Sequence, residues 1–141
     1  MTGSDRTLRG AAAFVGVADL VSPTGELDTP APVLEARAVR EALEDAGLAI
    51  SDVDGVCHAG SSMQLAEYLG VHPRFTDSTM TGGSSFEVHV EHAAAAIAAG
   101  LCDVVVGAYA GTPRYDRGRG EGPRGPAGRP EPMLELSLIH I

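Results

Sequence analysis

Apolar positions fall into short blocks separated by glycine, proline and serine, and the period changes from block to block. Residues 11–18, Ala-Ala-Ala-Phe-Val-Gly-Val-Ala, form a continuous apolar run between Gly10 and Asp19, the pattern of a strand covered on both faces. After the turn-rich stretch Ser22-Pro23-Thr24-Gly25, Asp28 or Thr29 can cap a helix with Pro30 and Pro32 in its first turn and Gly47 at its end. Ala36, Val39, Leu43 and Ala46 share one stripe of that helix. Arg37 with Glu41 and Arg40 with Glu44, each pair four apart, mark its solvated side. A second strand is predicted over 54–59, then a helix capped by Ser61 or Ser62 that runs through Leu69 and stops at Gly70. A weaker strand signal covers 75–78. Gly82-Gly83 then opens what the pattern predicts to be the longest helix, ending at Ala99 before Gly100, with Phe86, Val90, Ala94 and Ile97 as its core face. A fourth strand follows over 103–109. Four strands alternating with three helices predict an α/β fold with a mostly parallel sheet and right-handed crossovers.

From Thr112 the pattern ends. Residues 114–132 hold five Arg, five Gly and four Pro without a hydrophobic period, which predicts a loop. The chain lacks Lys and Asn and is rich in Ala, Gly, Pro and Arg, the bias of coding DNA rich in G and C. Against that bias residues 136–141, Leu-Ser-Leu-Ile-His-Ile, hold two of the four Ile residues and follow the Gly/Pro/Arg tract without turn or cap. They resemble one reading frame of a sequencing-library adapter. The expected organisation is therefore a partial domain over 1–112, a truncated loop over 113–135 and a non-native tail over 136–141.

The 141 residues carry a net charge of −9, and residues 1–113 have 5 Arg against 15 acids, so a nucleic-acid partner is not expected. No apolar run reaches the roughly 20 residues of a membrane helix, and 1–10 lack the order of a signal peptide. The expectation is a cytoplasmic protein without a membrane partner. Cys57 and Cys102 sit in apolar stretches and read as core thiols, with neither a disulfide framework nor a zinc set. Cys57 and His58 are strand neighbours and point to opposite faces, against a nucleophile–base pair. His89 and His92, with Glu87 and Glu91 around them, lack a third ligand at matched spacing and read as packing or a solvated edge; no metal is expected. Gly82-Gly83 lacks the G-x-G-x-x-G spacing and the ribose-binding acid of a dinucleotide site.

The chemistry is expected where the Gly82-Gly83 turn reaches the alanine-rich helix. Small residues at 93–96, 98 and 99 suit a helix buried on several sides, and its N-terminus presents free N–H groups to an oxyanion or an activated nucleophile.

Several blocks in order resemble a known family. Ala42-Leu43-Glu44-Asp45-Ala46-Gly47-Leu48, Asp52-Val53-Asp54-Gly55-Val56, and Ala95-Ala96-Ile97-Ala98-Ala99-Gly100 with Asp103-Val104-Val105-Val106 resemble the N-terminal portion of the thiolase superfamily over roughly residues 8–112. Thr81-Gly82-Gly83-Ser84-Ser85-Phe86 and the stretch 112–120 are closest to its sterol-carrier and lipid-transfer branch. The resemblance implies most of the first βαβαβαββ half of a five-layered αβαβα fold. It also implies an acyl-CoA substrate without a further cofactor, and a homodimeric parent. In such enzymes a cysteine at the start of the buried helix takes the acyl group; counting back from Ala98-Ala99-Gly100, that position is Gly83. Ser84 beside it is a weak nucleophile candidate without an identifiable base; the favoured reading of Ser84 and Ser85 is as N-cap or first-turn residues of the helix, a sufficient structural role. The implied activities of the parent are a thiolase-like acyltransferase of fatty-acid or steroid metabolism, a cysteine-less retro-aldol lyase for β-hydroxyacyl-CoA with an OB-fold and zinc-ribbon partner, or a non-catalytic scaffold. A small independent binding domain is the reading outside the family. The fragment by itself is expected to be inactive.

Overall fold

The computed structural model of the chain describes residues 8–23, 27–111 and 137–140, the last as backbone. Strand β1 (Phe14–Ala18) leads to helix α1 (Ala31–Ala46). A single 3-10 turn (Ile50–Asp52) precedes β2 (Gly55–Cys57), followed by α2 (Ser62–Leu69), β3 (Phe75–Asp77), α3 (Ser85–Ala98), β4 (Val105–Gly107) and β5 (Ser137–His140). The five strands form one sheet in the order β1-β5-β4-β2-β3. β2 pairs in parallel with β3 and with β4, whereas β5 runs antiparallel between β1 and β4. The sheet is thus mixed, and its α/β class agrees with the alternation in the sequence.

Helix α1 begins one or two residues later than the sequence suggests. Pro30 is the N-cap residue and caps through its carbonyl, which accepts from the N–H groups of Val33 and Leu34; neither Asp28 nor Thr29 caps. Asp28 sits at φ 45°, and the Thr29 hydroxyl donates to the Leu27 carbonyl instead. Gly47 closes the helix in the left-handed conformation. At 16 residues α1 is longer than α3, which has 14, so the expected ranking of the helices is reversed. For α2 the reading holds: Ser61 Oγ accepts from the Gln64 N–H and Gly70 ends the helix.

Side chains at Val56 and Val106 point to the α1 and α2 side, where they meet Val39, Leu43, Leu65 and Leu69 in the main core. Cys57 and Val105, one residue away on the same strands, point to the opposite side and meet Ala93 and Ala96 of α3. A third cluster, Leu20, Leu34, Ala38 and Ala110, joins the start of α1 to the segment after β4. Gly16 lets α1 lie directly on β1, since a Cβ there would collide with the Ala42 carbonyl.

The first strand is not covered on both faces as its apolar run suggests. Gly16 lies under α1, but Val17, pointing the other way, is 54% exposed, because the cluster under α3 is built on β2, β3 and β4 and includes no residue of β1. Residues 137–140, expected to be a foreign tail, are placed as β5; the loop expected over 113–135 lies outside the described residues. Among the described residues no helix is long and apolar enough to cross a membrane.

Candidate active site at the start of α3

The parallel strands β2, β3 and β4 all end on the side where α3 begins, the side on which open α/β sheets carry their ligands. The turn into α3 is tightly made. Gly82 takes φ 78°, which only glycine adopts without strain, and a backbone bridge links Thr81 with Gly83. Ser84 occupies the N-cap position, but its side chain does not cap; its hydroxyl lies 3.4 Å from the Thr81 carbonyl and 3.3 Å from Thr81 Oγ1. Ser85 is fully buried. Its Oγ donates to the Gly82 carbonyl at 2.7 Å and accepts from the Thr81 N–H at 3.0 Å, so the turn is held by the second serine. Gly83 is exposed at the mouth of this turn, and among the described residues none beyond its chain neighbours lies within 4 Å of where a Cβ would stand.

The core face of α3 is Ser85, His89, Ala93 and Ala96, one position out of phase with the expected Phe86, Val90, Ala94 and Ile97, which are only half-buried. The reason is polar. Ser85 and His89 are turned inward by bonds to the loop before the helix, and His89 Nε2 donates to the Thr79 carbonyl at 2.9 Å. His92 lies 2.6 Å from Asp77 at the end of β3 through Nδ1. Asp77 Oδ1 in turn accepts from the N–H and the hydroxyl of Thr79. Burial pushes the Asp77 carboxyl up, but the bonds from Thr79 and His92 outweigh it and hold the group below its ordinary value. Both histidines thus have anchoring roles, and the described residues contain no group of three His, Cys, Asp or Glu side chains able to hold a metal.

Neither cysteine lies in the turn. Both are buried in the core, and burial, with Asp77 nearby, pushes the Cys57 thiol up to about 12; burial also raises Cys102. A thiol held this way is a poor nucleophile at neutral pH. Cys57 and His58 do point apart: the histidine bonds Glu35 of α1 instead.

That glutamate escaped the sequence reading. Glu35 is 7% exposed; its Oε1 is 3.1 Å from His58 Nε2 and 3.1 Å from the Ala110 nitrogen. The signal was a charged residue in phase with the apolar stripe, four before Val39. At the other end of the strands Asp54 joins three segments: Oδ1 accepts from the N–H groups of Asp103 and Val104, and Oδ2 from Arg74. Burial opposes ionisation of Asp54, yet those bonds and the Arg74 charge bring it below its ordinary value.

Relatives place these features in a family. No protein-family model matches the chain. It is 36% identical over 106 residues to the 17-hydroxy-3-oxo-4-pregnene-20-carboxyl-CoA lyase of Mycobacterium tuberculosis, a match that covers 70% of this chain and 27% of that protein. Among solved structures it is similar to an Ltp2-ChsH2(DUF35) aldolase, with a TM-score of 0.65, 33% identity and coverage of 77% of this chain and 29% of that one. The chain is thiolase-like. An SCP2-thiolase-like protein from Mycobacterium smegmatis (TM-score 0.57, 23% identity, 74% and 24% coverage) and a cerulenin-bound OleA from Xanthomonas campestris (TM-score 0.67, 13% identity, 92% and 56% coverage) share the fold. The thiolase-like chain thus spans less than a third of the lyase and of the aldolase, and it resembles the N-terminal portion of this superfamily.

Proposed function

We propose that the chain is the N-terminal part of a thiolase-like lyase that cleaves a carbon–carbon bond in a β-hydroxyacyl-CoA of steroid or lipid metabolism. The observation that carries this reading is Gly83. At the start of α3, where the family resemblance puts the acyl-accepting cysteine, the chain has no side chain, and its two thiols are buried in the core. Retro-aldol cleavage needs no nucleophile. A base takes the β-hydroxyl proton, the Cα–Cβ bond breaks as the β-carbon becomes a ketone, and the electron pair left on Cα is held as an enolate until it is protonated. The names of the lyase and the aldolase support the same chemistry. The coenzyme A thioester is the substrate, without a further cofactor. The parent is a homodimer working with an OB-fold and zinc-ribbon partner, and the base comes from outside the described residues.

The test is a product analysis. A protein of the relatives' length that contains this segment, supplied with its partner, should convert a β-hydroxyacyl-CoA into a ketone and a shortened acyl-CoA without free coenzyme A. Thiolysis of a β-ketoacyl-CoA that requires free coenzyme A, with an acyl group recovered on Ser84, would instead establish the acyltransferase. Tight binding of either ester without turnover would establish a scaffold.

A further inference from the structure

A buried, hydrogen-bonded carboxylate is a weak source of net stability, but its donors are costly to leave without it. Glu35 is such a group. It lies on the inner side of α1 beside Leu34 and Ala38, and one oxygen serves two donors from different parts of the chain. His58 Nδ1 accepts from the Gly60 N–H at 2.9 Å, which leaves Nε2 to carry the hydrogen and donate to Glu35. The second donor is the Ala110 N–H, in a segment that has already left the β4 ladder. Helix α1, the turn after β2 and the segment after β4 therefore meet at a single oxygen.

Ala110 directly follows Tyr109. The Tyr109 ring stands edge-on to Phe86 in the first turn of α3, with centroids 5.4 Å apart and planes at 61°, and Phe86 stands edge-on to His89 at 6.2 Å. Phe86 is three residues from Gly83. Tyr109 and Phe86 together make a half-exposed aromatic rim at the start of α3.

We infer that Glu35 is a positioning residue: by accepting the Ala110 N–H it holds the segment after β4 so that Tyr109 completes an aromatic rim with Phe86, shaped to receive the apolar part of the acyl group. The role of the rim toward a ligand rests on the lyase reading; the positioning does not.

The 141-residue chain allows a direct test by NMR. Glu35→Gln keeps an oxygen that accepts both hydrogens, whereas Glu35→Leu keeps the bulk and removes the acceptor. In the unaltered chain and in Glu35→Gln the Ala110 amide should be protected from exchange and the Tyr109 and Phe86 rings should show a cross-peak. In Glu35→Leu the Ala110 amide should exchange at least about tenfold faster and the cross-peak should vanish, while the Val39 and Leu43 amides keep their protection. Unchanged Ala110 exchange in the leucine variant, or a loss spread equally over α1, overturns the inference. If Glu35→Leu does not fold, the unaltered chain decides: a freely exchanging Ala110 amide or absent ring contact overturns it, and protection retained in Glu35→Gln upholds it. In the lyase assay Glu35→Leu should raise KM for bulky acyl groups more than for short ones, with kcat little changed. An unaltered protein without lyase turnover refutes the function and leaves the NMR result standing.

Discussion

On one side of the sheet α1 and α2 cover Val56 and Val106 with valine and leucine; on the other, α3 covers Cys57 and Val105 with alanine. Apolar burial, at about 25 cal/mol per Å2, is the main contribution at the first interface, with Glu35 as its buried polar exception. Alanine removes little area from water, so α3 is held in place by named polar bonds: Ser85 to Gly82, His89 to Thr79 and His92 to Asp77. The side carrying the candidate site is therefore the side fixed by direction rather than by area. Polar anchors of this kind set orientation within narrow limits and allow a helix N-terminus to be presented with little bulk around it.

Substitutions separate the two modes, and the largest effect belongs to the apolar side. Leu43, 3% exposed in the main core, should cost about 3 kcal/mol of unfolding free energy when changed to Ala, measured by denaturant titration, with all amides of α1 and β2 losing protection together. His89→Ala should cost about 2 kcal/mol, from the lost bond and the small void. Its signature should be local: faster exchange of the residue 79–85 amides while Val56 and Val106 stay protected. A His89→Ala loss as large and as widespread as that of Leu43→Ala would mean that the two sides do not differ.

Much of this architecture is legible in the residues. The alternation of elements, the Ser61 and Gly70 ends of α2, the Val39 and Leu43 stripe and the burial of both cysteines follow from local pattern and agree with the structure. What the pattern misplaced has a common cause. The pattern puts the core face of α3 one residue out because Phe86 and Val90 are more apolar than Ser85 and His89, and the loop partners that turn the latter inward lie as far as ten residues away. Glu35 was invisible as a buried group because its donors come from positions 58 and 110. The apolar run of the first strand suggests cover on both faces because its composition cannot say how far α3 reaches across the sheet. Gly83 is singled out only by a resemblance in spacing, and nothing in local periodicity marks it.

The strand ends opposite the site give a pH-dependent test. The folded Asp54 carboxyl lies below its ordinary value of 3.8. The sign follows: a depressed carboxyl contributes stability that is complete above its unfolded value and is lost as the pH falls through that value toward the folded one. The melting temperature of the chain should therefore fall between about pH 5 and pH 3, and Asp54→Asn should be less stable at pH 7 and should show a shallower fall over that range. An equally steep fall in Asp54→Asn would assign the acid sensitivity to other carboxyls, Asp77 under α3 first among them.

The smallest effect belongs to the outer surface of α1, which touches neither mode. Arg37 Nε is 2.8 Å from Glu41 Oε1, but both side chains are well exposed and the pair is screened by water. Arg37→Ala should change stability by about 0.3 kcal/mol, within a few tenths of zero in 0.15 M salt and nearer zero in 1 M salt. A salt-independent loss above about 1 kcal/mol would show that this side of α1 is covered by something the charge pair helps to hold. The groove between α1 and α2, lined by Val33, Ala36, Arg40 and Tyr68 beside that pair, would then be the place where the cover sits.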